Sequence, residues 1–140
     1  MRTLEEKVTI VFDILSEIYK KSSWSQEQIL NDMRQENVDY FFVSDNQKIV
    51  GFLSVQQMVG ELEITNIAVS PSFQGKGMGI QLMCYLDNYD FPIFLEVRKS
   101  NKVAQALYEK FGFKLVGERK NYYHSPTEHA LVMKREGKNK

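Results

Sequence analysis

Three glycines at every second position, Gly75, Gly77 and Gly79, constrain this chain more than any other feature of its sequence. They follow an alternating apolar run over residues 62–69, which predicts a β-strand. A helical apolar pattern begins at Met78. Glycine lets the backbone adopt unusual dihedral angles and approach a ligand closely, and a helix N-terminus offers unpaired N–H groups to an anion. Strand, turn and helix together predict a site for a phosphate-bearing ligand.

Three phosphate-binding motifs compete for this turn, beside a turn that serves packing alone. A Walker-type loop ends in Gly-Lys-Ser/Thr, but Ile80 follows Gly79. A dinucleotide motif needs glycine where Ile80 stands, although Glu96 lies about twenty residues further on, where a ribose ligand is expected. Five polar or turn residues also separate the strand from the glycines, which disfavours that motif. The third motif, Q-x-x-G-x-G, is satisfied by Gln74, Gly77 and Gly79.

Length and composition predict one ordinary globular domain. The chain has 140 residues, of which 43% are hydrophobic and 26% charged. Its 18 basic and 18 acidic residues cancel, so we expect no nucleic-acid partner. No apolar run approaches the roughly 20 residues of a membrane helix, and the N-terminus lacks signal-peptide features, so we expect a cytoplasmic protein without a membrane partner. The domain is predicted over residues 1–134, followed by a charged, disordered tail over 135–140.

The order of predicted elements is that of a mixed α/β domain. Two helices come first, over residues 8–19 and after a cap at Ser25 that Gln28 completes as a capping box. Strands at 40–43, 49–56 and 62–69 then form an antiparallel meander. After the glycine turn and its helix come a buried strand at 92–97, a helix capped by Ser100 or Asn101 and ended by Gly112, and strands at 113–116 and 130–133.

The chain resembles the GNAT superfamily of N-acetyltransferases, and within it the RimI-type enzymes of ribosomal-protein alanine N-acetylation. Beyond the glycine turn, the resemblance rests on segments that keep the family's order over residues 24–133. These are Trp24-Ser25, residues 66–69, Leu-Glu-Val-Arg at 95–98 with Ser100-Asn101, residues 106–113, Arg119-x-Asn121-Tyr122-Tyr123 and Glu128-x-Ala130-Leu131-x-Met133. The resemblance implies the GNAT fold, a mixed and mostly antiparallel sheet that is splayed at the acetyl-CoA site and flanked by helices.

The resemblance also implies site residues and a co-substrate, acetyl-CoA. Glu96 would accept the proton of the amine, and Tyr108 would donate a proton to the leaving thiolate. Residues that would bind acetyl-CoA are Ile67, Ala68, Val69, Gln74, Gly75, Lys76, Gly77, Met78, Gly79, Ile80 and Asn101.

Each of these roles has a structural alternative in the sequence. Glu96 lies on an apolar strand where burial would raise a carboxylate pKa, but it could equally pair with Arg98 or lie at a solvated edge. Glu61 and Glu63 are alternative bases or the solvent face of their strand. A tyrosine on an apolar helical face, as at position 108, is often a core residue, and an asparagine before a helix is often a plain N-cap. Three apolar residues in a row at 67–69 predict a bulge or a fully buried strand.

The remaining reactive side chains carry less weight. Cys84 is interpreted as a packing residue, which favours direct attack by the amine over a cysteine intermediate. His124 and His129 have no metal-ligand spacing with it, and no metal site is predicted. Ile80, Ser23 and His129 depart from the residues usual in the family.

The expected function is acetyl transfer from acetyl-CoA to the N-terminal α-amine of a protein, with the alanine of a small-subunit ribosomal protein as the first candidate. A GNAT enzyme acting on lysine or a small amine, and a non-catalytic acyl-CoA-binding module, remain the alternatives.

Overall fold

The computed structural model describes residues 2–19, 22, 24–124 and 126–137, and within them four helices and six strands. The helices are α1 (Leu4–Tyr19), α2 (Gln26–Met33), α3 (Met78–Cys84) and α4 (Lys102–Lys110), with short 3-10 helices at Pro71–Phe73 and Tyr85–Asn88. The strands are β1 (Val38–Asp45), β2 (Lys48–Met58), β3 (Glu61–Val69), β4 (Ile93–Arg98), β5 (Lys114–Tyr123) and β6 (Glu128–Arg135).

The strands are hydrogen-bonded in the order β1-β2-β3-β4-β6-β5. The β1/β2, β4/β6 and β5/β6 pairs are antiparallel, and the β3/β4 pair is parallel. In the described residues the parallel ladder has two pairs, Leu62 with Ile93 and Glu63 with Phe94, whereas β4 pairs with β6 from Ile93 to Arg98. This mixed, mostly antiparallel sheet with flanking helices confirms the predicted fold class.

The described chain divides into two compact units, residues 2–56 with 65–86 and residues 57–64 with 87–137. In the first unit, one face of α1 is buried in a core that includes Ile29 and Phe52. The N-terminus of α2 carries the predicted capping box, because Ser25 accepts from the Gln28 amide at 3.1 Å and the Gln28 side chain accepts from the Ser25 amide at 2.8 Å.

In the second unit, β4 alternates between a buried and a half-buried face. Ile93, Leu95 and Val97 are buried, which leaves Glu96 on the other face of the strand. Helix α4 ends before Gly112, whose φ of +90° is the left-handed conformation predicted for it. The alternation of β4 is what brings Glu96 out of the core and into the candidate site.

Several boundaries differ from those predicted. Strand β5 has ten residues instead of four, because most of its side chains are exposed and give no clear apolar pattern. Strand β6 reaches Arg135, the first residue of the predicted tail, while Lys138, Asn139 and Lys140 lie outside the described residues, as does Ser23. Val103 is exposed on α4 and does not join its buried face, although a helical apolar pattern in the sequence would place it there. Cys84 is exposed too, and its interpretation as a packing residue is wrong.

Candidate active site

The glycine-rich turn lies between β3 and α3 in the first unit. Gly75 and Gly77 have φ angles of +78° and +84°, and a Cβ built on either would have no heavy atom within 4 Å. Gly77 is the N-cap of α3. Both positions therefore require the dihedral freedom of glycine and leave the backbone open to a ligand.

Hydrogen bonds hold this turn against the end of β3. The Gln74 side-chain amide donates to the Val69 carbonyl at 2.9 Å. The buried Ser70 donates its backbone N–H to the carbonyl of Val50, on β2, at 2.8 Å. The Lys76 ammonium lies 5.3 Å from the centroid of the Phe73 ring. The side chains of Gln74 and Lys76 thus make contacts within the turn and its flanking residues, and the Gln74 hydrogen bond stabilises the conformation of the turn.

The other residues predicted at this site differ in exposure. Met78 is buried and packs into the core, whereas Ile80 is exposed on α3. In β3 Leu62, Ile64 and Ala68 are buried, whereas Asn66 between them is half-buried. A Cβ at Gly51 would lie 3.0 Å from the Ala68 carbonyl, so the backbone of β2 closely approaches Ala68.

Glu96 lines a pocket in the second unit with two further glutamates. The pocket has a volume of about 250 Å³ and is lined by Glu61, Glu63, Phe94, Leu95, Glu96, Arg119 and Val132. The alternative bases of the sequence analysis, Glu61 and Glu63, are therefore brought together with Glu96. The pocket combines three carboxylates with one guanidinium and an apolar wall.

Glu96 forms an ion pair with Arg119. The Arg119 Nη1 lies 2.9 Å from Glu96 Oε2, and the Glu96 side chain is only 20% exposed. The alternative partner, Arg98, pairs instead with Glu128 at 3.3 Å. The proposed Glu96–Arg98 salt bridge is therefore wrong.

Burial and neighbouring carboxylates raise the pKa values of two side chains in and beside this pocket, Glu63 and Tyr122. Burial raises the pKa of Glu63, and the charges of Glu96 and Glu61 raise it further, while Arg119 opposes the shift. Burial likewise raises the pKa of Tyr122, as do the charge of Glu96 and a hydrogen bond with it. The Arg119 guanidinium also stacks over Tyr122, with 4.3 Å from its Cζ to the ring centroid.

Arg98 organises the connection between β5 and β6. It donates to the carbonyls of Pro126 at 3.0 Å and His124 at 3.2 Å, and its Cζ lies 4.5 Å from the centroid of the Tyr123 ring. Hydrogen bonds from Ser100 hold the pKa of Glu128 below its usual range, with help from Arg98. The Leu-Glu-Val-Arg segment thus supplies one charge to the pocket and one to the loop beside it.

Asn101 and Tyr108 both lie in the second unit, Asn101 immediately before α4 and Tyr108 on it. Asn101 caps the helix, because its side-chain oxygen accepts from the Ala104 amide at 3.1 Å. Tyr108 is 6% exposed, with its ring centroid 6.1 Å from that of Phe113. Asn101 is therefore a helix N-cap and Tyr108 a buried core residue, which are the structural alternatives expected for them from the sequence.

Arg119 has no predicted role in the sequence, although it begins the Arg119-x-Asn121-Tyr122-Tyr123 segment. Its ion pair joins β5 to β4 across β6, a long-range contact without a local signal. Among the described residues, no group of three or more His, Cys, Asp or Glu side chains has the arrangement of a metal site. No described helix is both long and apolar enough to cross a bilayer.

Replacing Glu63 by glutamine should stabilise the protein at neutral pH. A carboxyl whose folded pKa is raised disfavours the folded state once it ionises, so wild-type stability falls as the pH rises from the unfolded pKa of about 4.3 through the raised value. Urea unfolding at several pH values should give Glu63→Gln a higher free energy of unfolding at pH 7 and no gain below about pH 4. The control is Glu17→Gln, an exposed charge on α1. A gain that persists at the lowest pH would contradict this origin of the effect.

Comparison with known proteins agrees with the fold. The pattern of the Acetyltransferase (GNAT) family matches residues 8–113. The [Ribosomal protein bS18]-alanine N-acetyltransferase of Haemophilus influenzae is 36% identical over 133 residues, covering 87% of this chain and 90% of that protein. The Escherichia coli K12 protein of the same name is 34% identical over 119 residues, with 79% and 78% covered.

Solved structures give the same result. The ribosomal-protein-S18-alanine N-acetyltransferase of Escherichia coli superposes with a TM-score of 0.84 at 28% identity, covering 100% of this chain and 95% of that one. Ard1 of Thermoplasma volcanium superposes with a TM-score of 0.81 at 25% identity, covering 94% and 91%. The chain therefore belongs to the GNAT family of acetyltransferases, as an acetyl-CoA-dependent N-acetyltransferase.

Proposed function

We propose that this protein transfers the acetyl group of acetyl-CoA directly to the N-terminal α-amine of a protein, and that the N-terminal alanine of ribosomal protein bS18 is its acceptor. The acceptor named for the Haemophilus influenzae and Escherichia coli relatives supports this choice. The observation that carries the proposal is the pocket in which Glu96 lies beside two further carboxylates. A cytoplasmic location without nucleic-acid or membrane partners is part of the same proposal.

The charge of the pocket suits an amine that enters as a cation. Glu61, Glu63 and Glu96 outnumber the Arg119 guanidinium, so the pocket attracts an ammonium group. A free α-amine has a pKa of about 7.7–8.0, against about 10.4 for lysine. Near neutrality an N-terminal acceptor therefore needs only a modest base, which a carboxylate can supply.

Glu96 is the proposed base of the reaction. It accepts the amine proton as the nitrogen attacks, and its half-buried position on the apolar strand β4 keeps bulk water away from one side. Glu63 and Glu61 contribute by attracting the cation. In this role Glu96 touches the acceptor, and its ion pair keeps it in place beforehand.

Tyr108 is the proposed acid. Acetyl-CoA supplies an acetyl group activated as a thioester, whose thiolate must leave. A phenol with an ordinary pKa of about 10 can protonate such a thiolate. Burial of Tyr108 on α4 fixes its ring, and a fixed donor needs little reorganisation when the proton moves.

The first unit supplies most of the proposed acetyl-CoA contacts. Backbone amides from Gln74 to Ile80 would hold the phosphates, and backbone groups of Ile67, Ala68 and Val69 would pair with the pantetheine arm. Asn101 is a further proposed acetyl-CoA contact. The open positions of Gly75 and Gly77 fit a phosphate group, because a bare backbone can approach it closely.

Gly77→Ala should weaken acetyl-CoA binding about tenfold or more. Alanine is strained at the φ of +84° of this position, so the turn would shift and lose a hydrogen bond from its backbone N–H groups to a phosphate. A hydrogen bond to a charged group is worth about 1.5–3 kcal/mol. Gly60→Ala is a matched control, because Gly60 has a φ of +77° and the same open surroundings but lies in the β2–β3 turn. Calorimetric titration of both variants with acetyl-CoA measures the difference. Equal affinities would remove the turn from the proposed site.

Two peptides test the proposed acceptor. One offers a free N-terminal alanine with blocked lysines, and the other offers free lysines with a blocked N-terminus. Thiol release from acetyl-CoA should be confined to the first peptide, because its amine deprotonates more easily. Turnover on the second peptide alone would reassign the enzyme to lysine. No turnover on either peptide, with acetyl-CoA still bound, would redirect the search to small amines or a binding role.

A further inference from the structure

The end of β5 is bulged beside the Glu96 pocket. Arg119 lies opposite Ala130 and Tyr123 opposite Glu128, so three residues of β5, 120–122, face His129 alone. Asn121 adopts a φ of +52°, and its N–H donates to His129 Nδ1 at 2.9 Å. Bulges re-aim side chains and are frequent next to active sites. This one is held at its centre by a defined hydrogen bond.

The bulge directs two side chains to the same carboxylate. Arg119, at its first end, pairs with Glu96 at 2.9 Å, and the charge of Glu96 adds to burial in raising the pKa of Tyr122, which lies within the bulge. The stacking of the guanidinium on the Tyr122 ring, at 4.3 Å, restricts the arginine. Arg119 is itself 56% exposed, so this stacking, rather than burial, limits its orientations.

A carboxylate that is free to change its orientation would be a poor general base in this pocket. A general base must lie within about 2.6–3.2 Å of the group whose proton it takes. Glu61 and Glu63 repel Glu96, and the pKa of Glu63, raised chiefly by burial, is raised further by the charges of Glu96 and Glu61. A fixed positive charge opposes this repulsion, and arginine stays ionised at every working pH.

We propose that Arg119 is a positioning residue of the reaction, which holds the Glu96 carboxylate in one orientation within the pocket while Tyr122 holds the guanidinium. This inference rests on the proposed function, in which Glu96 is the base. It assigns to Arg119 and Tyr122 the task of keeping that base ready before the acceptor arrives.

The test compares Arg119→Ala, Arg119→Lys and Lys120→Ala in the full chain, with the free-alanine peptide as acceptor. Lys120 is an exposed neighbour on β5, so its variant makes the same change of charge. Arg119→Ala should lower kcat about tenfold to a hundredfold, as misplaced catalytic groups do, with the KM for acetyl-CoA unchanged. Arg119→Lys should recover part of kcat, and Lys120→Ala should stay close to wild type.

Three results would overturn the proposal. They are a kcat for Arg119→Ala no lower than that of Lys120→Ala, no recovery by lysine, and a loss of activity that tracks a lowered Tm and a raised KM for acetyl-CoA. If wild-type protein acetylates neither peptide, the proposed function fails by itself. A crystal structure of Arg119→Ala then decides the positioning role, because a displaced Glu96 carboxylate supports it and an unmoved one contradicts it.

Discussion

The ion pair of Glu96 and Arg119 balances a pocket in which three glutamates lie together. Burial raises the pKa of both Glu63 and Tyr122, the charge of Glu96 raises both further, and Arg119 opposes these shifts. The pair spans 2.9 Å, and its carboxylate is mostly shielded from solvent. An exposed ion pair adds little to stability, whereas here the same contact fixes the group that the proposed chemistry needs. The acidic surplus that remains is available to an incoming ammonium group.

Strand pairing makes this contact possible. Strand β4 is hydrogen-bonded along β6 from Ile93 to Arg98, which fixes the register of every side chain on it. Its buried face anchors the strand, and the period of two places Glu96 and Arg98 on the opposite face. Arg98 then ties down the β5–β6 connection through Glu128 and two backbone carbonyls. The six residues of β4 therefore include both the candidate base, Glu96, and the arginine that supports the β5–β6 connection, Arg98.

Features that depend on neighbouring residues could be predicted from the sequence. The Ser25 capping box and the left-handed Gly112 follow from local backbone chemistry, and both are present. The Glu96–Arg119 pair could not be predicted, because it depends on the register of two strands that lie far apart along the chain. The length of β5 was missed because an exposed edge strand needs no apolar alternation. The proposed roles of Tyr108 and Asn101 rest on the family resemblance, since a core tyrosine and a helix N-cap have the same local sequence patterns.

The most direct measurement is kcat and acetyl-CoA affinity for Glu96→Gln, with Glu61→Gln as the control from the same pocket. Both variants remove one carboxylate charge, but only Glu96 is the proposed base. The account predicts that Glu96→Gln lowers kcat by about a hundredfold or more while acetyl-CoA binds as before, because glutamine cannot accept the proton. Glu61→Gln should retain most of its kcat, because the attraction of the cation by Glu61 affects the KM for the acceptor and not the proton transfer. A Glu96→Gln enzyme as active as Glu61→Gln would contradict the assignment of Glu96 as the base.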